Sequence, residues 1–475
     1  MLKTLSFMLL LTYFAVLLFV VFREKKSNNT LDFFFAGRNM PFWALSITFI
    51  ASWWGAGSAI ETADSAYSQG MSAFWIYGMP VLASTLIMVF GSAFIRRIGF
   101  LTQGQIMSTR YSPTASKILA IMILFFMTLN AATQMVGVGI IFSSYLEIDY
   151  TYAVILGTVI VIIYSIFGGF RGVVITDIIQ FVLLLISAII VLVVAFYHAG
   201  SIENIKQVAM DKNINNVFSF TAGFHTHMVY VITFGLSWVI QANVWQRIIA
   251  TKTDKDATKM AIMSFFIYIP LYLIVVLTGI SGIALFDSVP EGGIIAAVVR
   301  EYMHPALGAF VFLGLSAAVM STMDSLINTA AMTISMDIAP QNLDDKKRLQ
   351  ISRISTLIVS LIAIIAAISI RSILKLSFVA SDIITSGVFV PLILGFLWKR
   401  GTSIGAVASM VFGVIFAFYN LAVIQGINLP VFWKTGSATQ SIIGIVISVI
   451  IFIVVSLITK PDYDKINHLK AGYKG

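Results

Sequence analysis

The chain contains no cysteine and few charged residues. The absence of cysteine excludes disulfides, thiolate zinc sites, iron–sulfur clusters and a cysteine nucleophile. Charged residues make up 11% of the 475 residues and hydrophobic residues 59%, whereas an ordinary soluble domain has about 25% charged and roughly 45–50% apolar residues. So few charges cannot cover the surface of a soluble particle of this size. The composition therefore predicts an integral membrane protein.

Apolar runs long enough to cross a bilayer, about 20 residues each, follow one another along the sequence. They lie near 5–22, 41–64, 71–98, 117–145, 151–168, 172–198, 226–249, 257–286, 305–334, 350–370, 374–398, 403–424 and 439–459. No long polar stretch is left to build a soluble domain. The pattern predicts one all-α transmembrane domain over residues 1–475 with about 13 helices. The run at 151–168 and the amphipathic stretch near 294–303 leave twelve or fourteen as alternatives.

Lysine and arginine are unevenly distributed between the loops. With the N-terminus outside and thirteen spans, 23 of the 30 lysines and arginines lie on the inner side, as expected for loops that face a cytoplasm. This predicts a multi-pass protein of the cell membrane with a cytoplasmic tail at 460–475. The net charge of +9 does not indicate nucleic-acid binding, because the basic residues form short clusters between apolar runs and no single basic face.

Two acidic residues, Asp177 and Asp324, lie well inside predicted spans, whereas Asp382, Glu61 and Asp64 lie nearer span ends. An ionisable group inside a membrane is costly and is a functional candidate by default. The alternative for Asp177 is a structural carboxylate that accepts hydrogen bonds from its own helix.

Small and hydroxyl residues share one helical face beside Asp324. Such a stripe is often only a packing surface between membrane helices. Hydroxyl oxygens next to a carboxylate, with no soft ligand nearby, also suit a hard cation such as sodium. The residues of this face are Ala318, Ser321, Thr322 and Ser325.

Two predicted spans carry features that interrupt a helix. Gly55 and Gly57 follow a tryptophan pair in the middle of the run at 41–64, and the run at 226–249 contains Gly235 and Gln241. Backbone freed by a break at membrane depth persists only where it lines a site. Paired interruptions in corresponding segments indicate an inverted-repeat transporter, although close helix packing is the simpler explanation for glycine.

Several motifs together resemble the sodium:solute symporter family. They are Asp32-Phe-Phe-Phe-Ala-Gly37-Arg38, the stretch from Gly168-Gly169 to Gln180, Gln246-Arg247, and the stretch from Ser316 to Asp337. The resemblance implies a leucine-transporter type fold with an inverted five-helix repeat. Residues 5–22 would form a leading helix, 41–198 the first repeat, 226–398 the second, and 403–459 two additional helices.

The resemblance also implies sodium ligands. A first sodium would be held by the backbone carbonyls of Ala51, Trp54 and Ala318 and the hydroxyls of Ser321 and Thr322. A second sodium, bound in some members, would use Asp177, Ser321, Asp324 and Ser325.

The expected substrate is a small amino acid or carboxylate. An organic cation such as choline is the alternative, because the face of Trp53 could hold an ammonium group by cation–π attraction. The further aromatic residues expected of such a cage are replaced by Leu82 and Gln241. The predicted substrate-binding residues are Trp53, Gly55, Ser58, Tyr77, Gln134 and Gln241.

The resulting prediction is a secondary active symporter in which sodium drives import of a small solute by alternating access. We expect no enzymatic activity, because four of the five histidines lie near span ends and His468 lies in the tail. A channel is a further alternative. The expected partners are the solute, sodium and the bilayer, with no nucleic acid and no obligatory protein partner evident.

Overall fold

The computed structural model describes residues 1–23, 29–340, 342–433, 438–461 and 463–465. Over these residues the chain is helical, apart from loops and an isolated bridge between Met40 and Thr251. The first ten helices are α1 (Leu2–Arg23), α2 (Thr30–Phe35), α3 (Phe42–Ala51), α4 (Thr62–Gln69), α5 (Phe74–Ile98), α6 (Gln103–Arg110), α7 (Pro113–Leu146), α8 (Tyr150–Ala199), α9 (Ile202–Asp211) and α10 (Phe224–Val239). The others are α11 (Ala242–Ala250), α12 (Asp254–Leu285), α13 (Ile294–Tyr302), α14 (Pro305–Thr333), α15 (Asp345–Ser369), α16 (Ile373–Ile383), α17 (Val390–Leu397), α18 (Ser403–Ile424) and α19 (Ala438–Ile458).

Short non-α turns extend or join several of these helices. The π-helical turns are Gly57–Glu61, Ile334–Ile338 and Ile384–Phe389, and the 3-10 turns are Ala36–Arg38 and Gly70–Ala73. The predicted tail beyond residue 465, with His468, lies outside the described residues, as does Lys434.

Ten helical segments among the described residues are long and apolar enough to cross a bilayer. The number becomes eleven if α10 and α11, which meet at 46°, form one span. The prediction of a multi-pass, all-α membrane protein is confirmed.

The count of thirteen is not confirmed, for two reasons. The predicted spans at 151–168 and 172–198 follow each other in α8 without a loop, and a kink at Gly169, at φ 53° and ψ −168°, separates the two helical segments. The predicted span at 41–64 is divided, and its first part, α3, has only 10 residues.

Helix α14 lies at the centre of the bundle. Every residue from Ser316 to Thr333 is buried, and the helix packs against α1, α7, α8 and α15. Since the polar face at Ala318 to Ser325 belongs to this buried stretch, its hydroxyl groups meet other helices and not lipid.

Helices α18 and α19 pack against each other and against the π-helical turn Ile384–Phe389. Glycine permits this close contact, because a Cβ atom on Gly413 would collide with the backbone of Gly387. The two helices are therefore attached to the bundle through a tight backbone contact.

Candidate functional site

The first predicted break is present in the structure. Helix α3 ends at Ala51, and the chain resumes helical geometry at Ala56, before the π-helical turn Gly57–Glu61. The Tyr268 hydroxyl lies 3.3 Å from the carbonyl oxygens of both Phe49 and Ile50, near this break. A side-chain donor thus supports backbone at the end of α3, at a depth where water is scarce.

The second break lies between α10 and α11. Gln241 is extended, at φ −68° and ψ 125°, and separates the two helices. Gln103 Nε2 donates to the Ile240 carbonyl at 2.7 Å, and Trp245 Nε1 donates to the Val239 carbonyl at 2.9 Å. The freed carbonyls of this break are therefore paired with side chains.

A hydrogen bond connects the two breaks, because Trp53 Nε1 donates to Gln241 Oε1. These residues lie on the predicted spans 41–64 and 226–249, so the structure brings the two interrupted segments into direct contact.

Three of the five predicted first sodium ligands, Ala51, Ala318 and Thr322, are in direct contact. The Thr322 hydroxyl donates to the Ala51 carbonyl at 3.0 Å and lies 3.3 Å from the Ala318 carbonyl. Trp54 and Ala318 line a common cavity of about 20 Å³. Ser321 differs, because its hydroxyl donates to Asp177. Two carbonyls and a hydroxyl are hard oxygen donors, which suit sodium.

Two of the predicted second sodium ligands are in direct contact, because the Ser321 hydroxyl donates to Asp177, which also accepts a hydrogen bond from Thr48. Asp324 accepts its hydrogen bond from Ser165, on helix α8. Ser325 accepts from Arg247 Nη2 at 2.6 Å.

Arg247 was named in the Gln246-Arg247 motif but was not predicted to belong to the site. Its side chain is fully buried and lies 3.6 Å from the Asp177 carboxylate. Arg247 Nε also donates to the Thr48 carbonyl at 3.2 Å. A guanidinium therefore supplies positive charge among oxygens that were predicted to hold a second sodium. Its partners on α3, α8 and α14 are distant in sequence, so no local pattern reveals this contact.

A cavity of about 40 Å³ lies between the two breaks, and all six predicted substrate-binding residues line it. Ala56 N donates to Gln134 Oε1 at 2.8 Å, and the Ser58 and Tyr272 hydroxyls are 2.7 Å apart. No charged side chain belongs to the described lining. The complete lining is Ser52, Trp53, Gly55, Gly57, Ser58, Tyr77, Asn130, Gln134, Trp238, Gln241, Thr322, Leu326 and Ser377.

Some of these lining residues were not predicted. Asn130 precedes Gln134 by four residues and so shares its helical face, a signal that could have found it. Trp238 precedes Gln241 by three residues in the predicted span 226–249, so spacing could have found it too. Ser377 carries no such signal, because the predicted span 374–398 held no predicted substrate residue. Thr322 lines the cavity as well as joining Ala51 to Ala318, so the predicted sodium and substrate sites are neighbours.

Three aromatic rings of the cavity lining pack against one another, Tyr77 and Trp238 stacked and Trp53 and Trp238 tilted. The Tyr77 and Trp238 ring centroids are 6.1 Å apart at an interplanar angle of 24°, and those of Trp53 and Trp238 are 5.6 Å apart at 39°. A cation–π cage needs ring faces directed at the ligand. Here part of each face is covered by a neighbouring ring.

Comparison with known proteins gives consistent results. The model of the sodium:solute symporter family matches residues 33–413. The osmoregulated proline transporter OpuE of Bacillus subtilis (strain 168) is 25% identical over 469 residues, which cover 94% of this chain and 93% of OpuE. A sodium/proline symporter of Staphylococcus aureus is 27% identical over 481 residues, covering 96% and 93%.

The fold is similar to that of a Na⁺-coupled sialic acid symporter solved in a substrate-bound, outward-open state. The TM-score is 0.80 at 20% sequence identity, and the match covers 96% of this chain and 98% of that one. These relatives give no support to the organic-cation alternative. Since the family match spans most of its length, the chain belongs to the sodium:solute symporter family and is a sodium-coupled symporter of a small organic solute, not an enzyme.

Proposed function

We propose that the chain imports a small zwitterionic amino acid of about the size of proline, together with sodium, across the cell membrane. The observation that carries this proposal is the cavity between the two helix breaks, which adjoins Thr322. The names of two relatives, OpuE and the Staphylococcus aureus symporter, also point to proline.

The character of the cavity favours a solute without net charge. Its polar groups are amides and hydroxyls, such as Gln134, Gln241 and Ser58, and its described lining contains no charged side chain. A solute with net charge would be buried there without a counter-charge, which is costly. A zwitterion carries both charges, and the ends of broken helices offer partial charges of either sign.

We further propose that the coupling sodium binds between Ala51, Trp54, Ala318, Ser321 and Thr322. The short distances from Thr322 to two of these carbonyls support this position. For the second set, Asp177, Ser321, Asp324 and Ser325, we propose that Arg247 supplies the positive charge. A second sodium would then have to displace the guanidinium from Ser325.

The proposed topology has thirteen spans with an external N-terminus and a cytoplasmic C-terminus. The distribution of lysine and arginine supports this orientation. If α8 crosses the membrane twice, turning at Gly169, and each broken segment crosses once, the number of spans is thirteen. The repeats would then be 41–198 and 226–398, with a broken helix at the start of each.

A binding screen tests the substrate proposal. Purified protein is heated with proline, glucose, sialic acid or choline, each in sodium chloride and in potassium chloride, and the unfolding temperature is measured. We expect stabilisation by proline and related small amino acids, and only with sodium. Stabilisation by choline alone would favour the organic-cation alternative and contradict the proposal.

A further inference from the structure

A buried carboxyl lies away from the substrate cavity, where α16 meets α18 and α19. Asp382, near the end of α16, is 1% exposed. Asn420 of α18 and Gln440 of α19 each donate an amide N–H to it, at 3.3 and 2.7 Å. Asp382 belongs to neither predicted sodium set and does not line the substrate cavity, so the proposed transport mechanism gives it no role.

Both amides donate to the same carboxyl oxygen, Oδ2. Trp433 Nε1 donates to Asn420 Oδ1 at 2.9 Å, which leaves Asn420 Nδ2 directed at the carboxyl. The other oxygen of Asp382, Oδ1, is buried and has no hydrogen-bond partner among the described residues. The buried hydroxyl of Ser441 lies beside the carboxyl and has no other hydrogen-bond partner among the described residues.

This arrangement fits a carboxylic acid better than a carboxylate. An ionised group accepts hydrogen bonds at both oxygens and donates none, whereas the protonated acid has one O–H donor. In the acid, Oδ2 is the carbonyl oxygen with two amide donors, and the O–H on Oδ1 can donate to the Ser441 hydroxyl. In the carboxylate, the Ser441 hydroxyl could donate to Oδ1, but the negative charge would remain buried without a counter-charge among the described residues, which is costly at membrane depth.

The groups around Asp382 are neutral. Helices α7, α10 and α18 and the turns Gly57–Glu61 and Ile384–Phe389 all pack against α16. Of these elements, the turn Gly57–Glu61 carries a titratable residue, Glu61, which has no interaction with the Asp382 carboxyl. Within the described part of the chain, the side chains that reach the carboxyl are the two amides and the Ser441 hydroxyl, and no charged or titratable group acts on it. Lys434 lies outside the described residues, and its contribution is tested below.

We propose that Asp382 is a proton-binding site that holds α18 and α19 against the π-helical turn Ile384–Phe389. The proton on Oδ1 joins Asp382 to Ser441 of α19, while Oδ2 accepts from Asn420 and Gln440. Loss of the proton would leave an unpaired negative charge in this interface and weaken it. The inference is independent of the proposed substrate and of the sodium site.

Infrared spectroscopy tests the protonation directly. The spectrum of the purified full-length Asp382→Asn protein is subtracted from that of the unaltered protein at neutral pH. We expect the difference to contain the C=O stretching band of a protonated carboxyl group. A difference that contains only carboxylate bands would overturn the proposal.

Thermal unfolding over a pH series gives a second test. If the folded state holds a proton that is released on unfolding, the ratio of folded to unfolded protein falls by about tenfold for each unit by which the pH rises. Asparagine keeps a donor and a carbonyl but carries no such proton. We therefore expect the Asp382→Asn protein to fold. Its unfolding temperature should fall less steeply with rising pH than that of the unaltered protein, by the contribution of one proton.

Two controls accompany this series. Asp254→Asn removes a carboxylate that is paired with Arg97 at 2.8 Å, and Lys434→Gln removes the lysine that lies outside the described residues. Above about pH 5, where an aspartate paired with an arginine stays ionised, both should keep the pH dependence of the unaltered protein. If Asp382→Asn keeps it too, or if Lys434→Gln abolishes it, Asp382 is not a neutral proton site.

Discussion

Thr322 is the residue on which the proposed sodium site depends, because its hydroxyl lies between carbonyls of α3 and α14. Thr322→Ala removes this oxygen and leaves both carbonyls. We expect the sodium concentration for half-maximal uptake to rise roughly tenfold or more, since a hydrogen bond to a charged group contributes about 1.5–3 kcal/mol.

Two further variants serve as comparisons in the same uptake assay. Thr322→Ser retains the hydroxyl and should stay close to the unaltered protein. Ser321→Ala should have a smaller effect than Thr322→Ala, because the Ser321 hydroxyl is bonded to Asp177. An unchanged sodium dependence in Thr322→Ala would remove this residue from the site.

Asp177 and Arg247 are both fully buried and form an ion pair. Asp177→Asn would leave the guanidinium without its counter-charge, and removing one partner of a buried pair costs about 3–5 kcal/mol. We expect a clear fall in unfolding temperature. Combining Asp177→Asn with Arg247→Gln removes both charges and should recover part of the loss. A single variant as stable as the unaltered protein would show that the pair is not needed for stability.

Gln241 is the amide that connects the second break to Trp53. Gln241→Ala should weaken apparent substrate affinity by roughly ten- to a hundredfold, because leaving a buried polar partner unpaired costs about 1–3 kcal/mol. Trp53→Phe keeps an aromatic ring but loses the N–H donor, so it isolates the contribution of this hydrogen bond. Normal transport by both variants would mean that the substrate binds elsewhere.

The sequence predicted which residues lie close together more reliably within one helix than between different helices. Spacing placed Ser321, Thr322 and Ser325 together on α14, and all three are buried there. It did not show that Ser321 faces Asp177 while Ser325 faces Arg247. Those contacts depend on how α8 and α11 pack against α14, which the local pattern does not determine.

At the scale of elements, breaks at membrane depth were predictable because glycine and polar side chains stand out in an apolar run. Both predicted breaks occur. The predicted connection between the spans at 151–168 and 172–198 is a kink inside α8, where the non-helical backbone of Gly169 joins two helical segments without a loop between them. The apolar runs therefore located both helical segments, whereas the geometry of their connection was not predicted.

The first break should tolerate no side chain at Gly55. A Cβ atom there would overlap the Gln134 side chain, which accepts a hydrogen bond from Ala56 N. We expect Gly55→Ala to destabilise the protein by about 1–3 kcal/mol and to reduce uptake. Gly91→Ala is the control, because no atom lies within 4 Å of the added methyl group. Equal behaviour of the two variants in thermal unfolding would contradict the close packing at the break.

At the scale of the whole molecule, the two breaks, the cavity and Thr322 form one connected centre. Trp53 of the first break bonds to Gln241 of the second, and Thr322 lines the cavity while bonding to Ala51. A ligand that binds one part of this centre is expected to change the affinity of another, and such coupling is reciprocal. Sodium and substrate should therefore each strengthen the binding of the other.

The most direct measurement of this coupling is uptake of labelled proline into proteoliposomes that contain the purified protein. An inward sodium gradient is imposed, and a parallel sample receives a sodium ionophore that collapses it. The account predicts accumulation of proline above its external concentration with the gradient, and equilibration without it. Accumulation that does not depend on the sodium gradient would contradict sodium-coupled symport by this chain.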